Sequence, residues 1–220
     1  ALIVVDQRMS MFFGSKLNMK SVTAAETAAI AAFAILDQGD RVGGIVFGDE
    51  MVAEIRPLRS RRTLDALTTA IADANALLSA DAPAVEAMGL NRPLEAAQRL
   101  AGTNHLIIVV SDFDGIDART ETLLGGMIKH NDVILCLVTD PMAHEIADDL
   151  QIVISDGILQ AEIDTSSGRV RRSLAEMTSG RVAEVLALEK KLGVPVLPLN
   201  AGEATLPQIR RLLGLSAGRP

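Results

Sequence analysis

The sequence feature that most constrains the fold is a set of short apolar runs that lack polar–apolar alternation. Four such runs are "ALIVV" (1–5), "VGGIVF" (42–47), "LIIVV" (106–110) and "VILCLV" (133–138). Runs of this kind are typical of strands that are covered on both faces, as in a parallel sheet. A fifth run, "VPVLPL" (194–199), contains two prolines, so we place it near an edge.

Helical patterns separate these runs along most of the chain. We predict helices over 19–38, 61–79, 92–101, 119–130, 174–192 and 205–213. Regular alternation of strand and helix indicates an α/β fold with a doubly wound, mostly parallel sheet of about six strands and helices on both faces. We expect the strand order 51–57, 42–47, 1–5, 106–110, 133–138, 194–199, within a single domain that spans 1–220.

Two stretches break the alternation. "MVAEIRP" (51–57) follows the second strand after only "GDE", which is too short for a crossover, so we predict an antiparallel edge strand. "QIVISDGILQAEID" (151–164) places Asp156 and Gly157 between two strand-like runs, which indicates a small β-hairpin insertion.

Composition narrows the classes of function. The 220 residues are 49% hydrophobic and 22% charged, as in a globular protein. A net charge of −7 and an aromatic content of 2% argue against a nucleic-acid-binding surface. Cys136 is the single cysteine and lies in an apolar run, so we expect a buried thiol and no disulfide.

The ends of the chain bear on localisation. No apolar run approaches the length of a membrane span, and no signal peptide is recognisable. The chain begins inside a strand-like run and without Met, so we expect a fragment of a longer protein. We predict a cytoplasmic location, with targeting information that could lie in the missing part.

Two acids mark a candidate site. Asp6 and Asp112 each follow an apolar strand, and ligands of doubly wound sheets collect at that end of the strands. If the two strands are neighbours, the carboxylates converge, and Ser10 and Ser15 could add hydroxyl ligands for Mg²⁺. The alternative is that Asp6 and Ser10 only cap the following turn and helix.

The order of these parts resembles a von Willebrand factor A-type domain. The residues that carry the resemblance are "VVDQRMS" (4–10), "GDRVGGIVF" (39–47), "GLNRPLEAAQRL" (89–100) and "IIVVSDF" (107–113). More narrowly, "DQRMSMFFGS", "GDRVG", "RPLRSRRT" and "LGVPVLPLNA" are similar to the bacterial DUF58 family. The resemblance implies a non-enzymatic protein-interaction domain that works with a MoxR-type AAA+ ATPase in the assembly or maturation of client proteins.

The resemblance also implies a metal-ion-dependent adhesion site, built from Asp-x-Ser-x-Ser, a threonine and a third-loop aspartate. Asp6, Ser10 and Asp112 match, but Arg8 replaces the first serine and "GLNRPL" (89–94) offers no threonine. A guanidinium about 4 Å from a divalent ion would repel it by a few kcal/mol at an effective dielectric near 20. We therefore predict a degenerate site in which Arg8 pairs with Asp6 or Asp112, no cofactor is required, and Mg²⁺ binds at most weakly.

An enzymatic alternative comes from "IIVVSDFDG" (107–115), which imitates the haloacid-dehalogenase phosphohydrolase signature. There Asp112 would attack phosphorus in a Mg²⁺-dependent reaction and Asp114 would act as general acid and base. That class also requires a Lys or Arg farther along, and 140–147 contains none. We therefore expect no enzymatic activity.

The remaining candidate for a partner-binding site is a basic segment. "RPLRSRRT" (56–63) carries Arg56, Arg59, Arg61 and Arg62. It is either a solvated connection capped by Ser60 or a docking patch for a carboxylate-rich partner surface on an otherwise acidic protein.

Overall fold

The computed structural model describes residues 1–81, 86–141, 151–155, 160–164 and 168–213. Its strands are β1 (Leu2–Asp6), β2 (Val42–Phe47), β3 (Met51–Leu58), β4 (Leu106–Ser111), β5 (Asp132–Thr139), β6 (Gln151–Ser155), β7 (Gln160–Asp164) and β8 (Val196–Asn200). Its α-helices are α1 (Lys20–Asp37), α2 (Arg61–Ala76), α3 (Asn91–Ala101), α4 (Ala118–Ile128), α5 (Gly168–Leu192) and α6 (Thr205–Leu212). A short 3-10 helix covers Met9–Met11.

The main sheet has the order β3-β2-β1-β4-β5-β8. All neighbours pair in parallel except β3, which is antiparallel to β2 at one edge. The predicted strand order and the antiparallel edge are therefore confirmed. Val5 pairs with Val110, so β1 and β4 end side by side and bring Asp6 next to Ser111 and Asp112.

Successive side chains of a strand point to opposite faces of the sheet. Alternate residues of each central strand therefore pack into two apolar layers, one on each face of the sheet. Leu2 and Val4 pack with residues of α3, α4 and α5, whereas Ile3 and Val5 pack with α1, α2 and α6. The sheet is thus covered on both faces, which is why its strands read as continuous apolar runs.

Gly43 lies at an irregularity in the antiparallel pairing of β2 with β3, where the pairing register shifts. A Cβ atom at Gly43 would lie 2.4 Å from the Ile55 carbonyl oxygen and 2.5 Å from the Pro57 nitrogen. Both contacts are with backbone, which cannot move aside as a side chain would, so the close approach of the β3 backbone requires glycine at this position.

Three local features differ from the sequence interpretation. The strand β3 continues to Leu58 and α2 begins at Arg61, so most of 56–63 is regular structure rather than a connection. Ser60 occupies the N-cap position of α2, but its side chain makes no capping hydrogen bond, which corrects the capping role assigned to it. The helix predicted from 174 begins at Gly168.

The predicted hairpin insertion is present as two antiparallel strands, β6 and β7. Asp156 and Gly157, which indicated the turn, lie outside the described residues. Among the helices of the described segments, none combines the length and apolarity that a bilayer crossing requires.

Candidate functional site

Asp6 and Arg8 form a forked ion pair at the carboxyl end of β1. The Arg8 Nε lies 3.1 Å and 3.2 Å from the two Asp6 carboxylate oxygens, and Nη2 lies 2.8 Å from Oδ2. The Arg8 backbone N–H donates to Oδ1 at 2.9 Å, and the Ser111 hydroxyl donates to Oδ2 at 2.6 Å. The buried carboxylate is therefore fully hydrogen-bonded. The predicted pairing of Arg8 with one of the two acids is confirmed.

The same guanidinium joins three loops. Its Nη1 donates to the Met88 carbonyl at 2.8 Å and its Nη2 to the Asp114 carbonyl at 3.2 Å. Its Cζ lies 5.6 Å from the centre of the Phe47 ring, and only 3% of the residue is exposed. Burial alone lowers the pKa of Arg8, but Asp6 outweighs burial and raises that pKa above its ordinary value. Arg8 is a permanent buried cation.

Asp112 is held by three cations. Lys20 Nζ lies 2.6 Å and Arg181 Nη1 3.7 Å from its Oδ2, and Arg8 Nη2 lies 3.8 Å from its Oδ1. Burial alone raises the pKa of Asp112, but the charges of Lys20, Arg181 and Arg8 outweigh burial and hold that pKa well below its usual range. Arg181 also pairs with Asp114. Asp112 is therefore ionised at neutral pH.

We refer to these six residues as the charge cluster: Asp6, Arg8, Lys20, Asp112, Asp114 and Arg181. It balances three carboxylates with three cations. A divalent ion bound to Asp6 and Asp112 would need the space that the Arg8 guanidinium fills and would meet three like charges. No group of three or more His, Cys, Asp or Glu side chains suited to a metal occurs among the described residues. The residues at this position do not fit the divalent metal of an adhesion site.

The two candidate serines differ in their contacts. Ser10 Oγ lies 3.5 Å from Asp112 Oδ1, at the outer limit of a hydrogen bond. Ser15 is not in the charge cluster: its backbone N–H donates to Asp140 Oδ2 at 2.8 Å, and its hydroxyl donates to the same carboxylate. Only Ser10 is therefore brought near the predicted acids.

The second loop does not contribute to the charge cluster through Asn91. Its Nδ2 donates to Asp117 Oδ2 at 2.8 Å, and its Oδ1 accepts from the Thr120 hydroxyl at 2.8 Å. Asp117 caps α4 in a capping box with Thr120. Asn91 thus joins the starts of α3 and α4, and Arg92 beside it is exposed.

Sequence reasoning missed two members of the charge cluster, Lys20 and Arg181. Lys20 begins α1, where a cation is unfavourable for the helix dipole, and that mismatch was the available signal. Arg181 lies within α5, about 70 residues after Asp112 in the chain, and nothing in its local pattern indicates the contact.

The basic segment lies at the other end of the sheet. Leu58 pairs with Val42, the first residue of β2, whereas Asp6 and Phe47 pair at the carboxyl end. Arg56, Arg59, Arg61 and Arg62 are exposed there. The two candidate sites are therefore separate surfaces.

Fold and site together define a doubly wound α/β domain with a buried guanidinium between two carboxylates at the carboxyl end of its sheet. The family model "Protein of unknown function DUF58" matches residues 1–183, so the chain belongs to the DUF58 family. No curated protein matches it.

Solved structures with TM-scores above 0.5 show the same α/β fold. The conserved hypothetical protein BatB from Bacteroides thetaiotaomicron is 13% identical, with a TM-score of 0.56 over 98% of this chain and 96% of that one. An aerotolerance-related membrane protein from Bacteroides fragilis is 13% identical, with a TM-score of 0.54 over 94% of each chain. A von Willebrand factor type A protein from Catenulispora acidiphila is more distant, with 15% identity and a TM-score of 0.39 over 82% of this chain and 42% of that one.

Proposed function

We propose that this domain is a non-enzymatic protein-interaction module in which the charge cluster replaces the metal of an adhesion site. The observation that carries the proposal is the Arg8 guanidinium, which forks onto Asp6 and bonds the Met88 and Asp114 carbonyls. A cation supplied by the chain itself does not depend on the metal concentration of the surroundings.

The charge cluster orders the loops at the carboxyl end of the sheet before a partner arrives. Arg8 joins the loop after β1 to the segment before α3 and the loop after β4. Arg181 adds α5 through its pairs with Asp112 and Asp114. Pre-ordered loops lose less conformational entropy on binding, so they favour association with a protein partner.

The partner that we propose is a MoxR-type AAA+ ATPase, with assembly or maturation of client proteins as the outcome. This partner is the one that the resemblance to DUF58 proteins implies, and the family model places the chain in that family. The test is affinity capture with the full-length protein from its native host, followed by mass spectrometry. We expect an AAA+ ATPase among the captured proteins, and a captured set without one would contradict the proposal.

Metal dependence is best measured on the purified protein, because AAA+ ATPases themselves require Mg²⁺ with their nucleotide. We expect titration calorimetry with Mg²⁺ to give no tight binding by the wild type. Micromolar binding that is lost in Asp112→Ala would contradict the replacement of the metal by Arg8.

The phosphohydrolase alternative assigns the chemistry to Asp112 and Asp114. A nucleophilic carboxylate must reach phosphorus, whereas Asp112 is buried against Lys20 and Asp114 pairs with Arg181. We expect no turnover of p-nitrophenyl phosphate in millimolar Mg²⁺ above the level of Asp112→Asn. Robust hydrolysis that disappears in this variant would overturn the non-enzymatic function.

A further inference from the structure

The exposed arginines of this protein differ in whether they have a carboxylate partner. Arg99, Arg119 and Arg211 each pair with a glutamate. A second group, at the amino end of the parallel strands, forms no ion pair with any carboxylate of the described residues; Arg92 and Arg210, which also form none with these carboxylates, lie instead in α3 and α6. We refer to this group as the arginine patch: Arg41, Arg56, Arg59, Arg61 and Arg62.

The residues of the arginine patch all lie at the amino end of the parallel strands. Leu58 pairs with Val42, so the end of β3 lies beside Arg41. The Arg59 guanidinium packs over Gly39, where a Cβ would lie only 2.8 Å from Nη2. Residues distant in sequence are therefore adjacent here through the antiparallel pairing of β2 and β3.

Neither helix stabilisation nor pairing with acids that are near in sequence explains why arginines occupy these positions. Arg61 and Arg62 lie in the first turn of α2, which has no acid and where the helix dipole disfavours cations. Asp40 and Asp65, which neighbour the arginine patch in sequence, do not pair with it. The arginine patch thus gathers positive charge that no carboxylate of the described residues pairs with, on a protein whose net charge is −7.

The arginine patch also has the composition of a protein interface. Its cations are all arginine, which binds carboxylates through two parallel hydrogen bonds and is enriched in interfaces relative to lysine. Leu58 lies among them with 56% of its surface exposed. Pro57 removes a backbone donor from β3, so side-chain charge rather than addition of a strand would provide recognition.

We propose that the arginine patch is a docking surface for an acidic segment of a protein partner, an inference that rests on the proposed role as an interaction module. The charge of the arginine patch is complementary to carboxylates. Nucleic acid is a poorer occupant, because the net charge is −7 and aromatic side chains for base stacking are scarce. An anionic membrane is also a poorer occupant, since its extended surface would face the acidic remainder of the protein, whereas a short acidic segment contacts the arginine patch alone.

The probe for this surface is a fluorescently labelled poly-glutamate peptide, with binding followed by fluorescence anisotropy. The test variant is Arg61→Glu/Arg62→Glu, which places acids at the start of α2, where the helix dipole favours them. The matched control is Arg210→Glu/Arg211→Glu, because these are also adjacent, exposed arginines, in the last turn of α6. Thermal unfolding of each variant verifies that it is folded.

We expect the wild type to bind the peptide and to bind it more weakly as salt rises toward about 0.15 M. Reversal of two charges in the arginine patch should weaken binding about tenfold, whereas the control should change it by less than about twofold. Absence of binding to the wild type, equal affinity in the test variant, or an equal loss in the control would refute the inference.

Competition separates the possible occupants. A single-stranded DNA oligonucleotide and phosphatidylserine vesicles are titrated against the bound peptide. Tighter binding of either, lost in Arg61→Glu/Arg62→Glu, would refute a protein segment as the occupant. If the wild type binds the peptide but captures no ATPase, only the proposed ATPase partner is refuted. If a variant that no longer binds the peptide still captures the ATPase, the arginine patch is not the surface that binds that ATPase.

Discussion

Replacing Arg8 with serine tests the charge cluster directly. Arg8 Nη2 lies 2.8 Å from Asp6 Oδ2 and both side chains are buried. At that distance two unit charges attract by about 6 kcal/mol at an effective dielectric of 20. Desolvation offsets much of this attraction, yet removal of one partner leaves the other charge buried and unpaired, which typically costs about 3–5 kcal/mol.

We therefore expect Arg8→Ser to lower the free energy of unfolding by about 3–5 kcal/mol in urea titrations at neutral pH without divalent ions. Arg92→Ser is the matched control, because Arg92 is exposed and forms no ion pair with the described carboxylates. That control should change stability by less than about 0.5 kcal/mol.

Mg²⁺ should return part of the stability that Arg8→Ser loses. Serine restores the hydroxyl of Asp-x-Ser-x-Ser beside Asp6 and Ser10 and removes the blocking cation. A ligand at about 100 times its dissociation constant stabilises the native state by about 2.7 kcal/mol. We expect a modest affinity by calorimetry, because the second loop still lacks a threonine.

Two outcomes would refute this reasoning. If Arg8→Ser were as stable as Arg92→Ser without metal, the buried pair would not stabilise the loops. If Mg²⁺ stabilised the wild type and Arg8→Ser equally, Arg8 would not occupy the place of the cation.

Three further predictions concern other parts of the fold. Burial raises the pKa of Asp112, but its paired cations outweigh burial and lower that pKa below its ordinary value. The ionised form of Asp112 therefore stabilises the fold above about pH 4, and this contribution to stability is lost as the pH falls. Asp112→Asn should therefore show a shallower loss of stability below about pH 4 in urea titrations. Burial raises the pKa of the Cys136 thiol to about 12, so a thiol reagent near neutral pH should label it only after unfolding; labelling of the native protein would contradict this. Gly43→Ala should cost about 1–3 kcal/mol because its Cβ meets backbone, whereas Gly89→Ala, with nothing within 4 Å, should be nearly neutral in the same titration.

The architecture could be predicted from the sequence. Runs such as 1–5 and 106–110 are apolar throughout because both faces of a central strand are covered, and that property is visible within five residues. The three-residue link between 42–47 and 51–57 permits only an antiparallel neighbour. The ion pair of Arg8 with Asp6 was also predictable, since the two residues lie within one loop and a buried carboxylate needs a partner.

Tertiary structure alone decided how the charge cluster is completed. Lys20 and Arg181 reach Asp112 because α1 and α5 pack on opposite faces of the sheet and both extend to the end of β4. Likewise, the pairing of Leu58 with Val42 brings Arg41 beside the basic segment. A local sequence pattern indicates which face of a helix or strand is buried, but it does not indicate which distant side chain contacts that face. Strand order and helix packing determine that contact, because they fix distances between residues far apart in the chain.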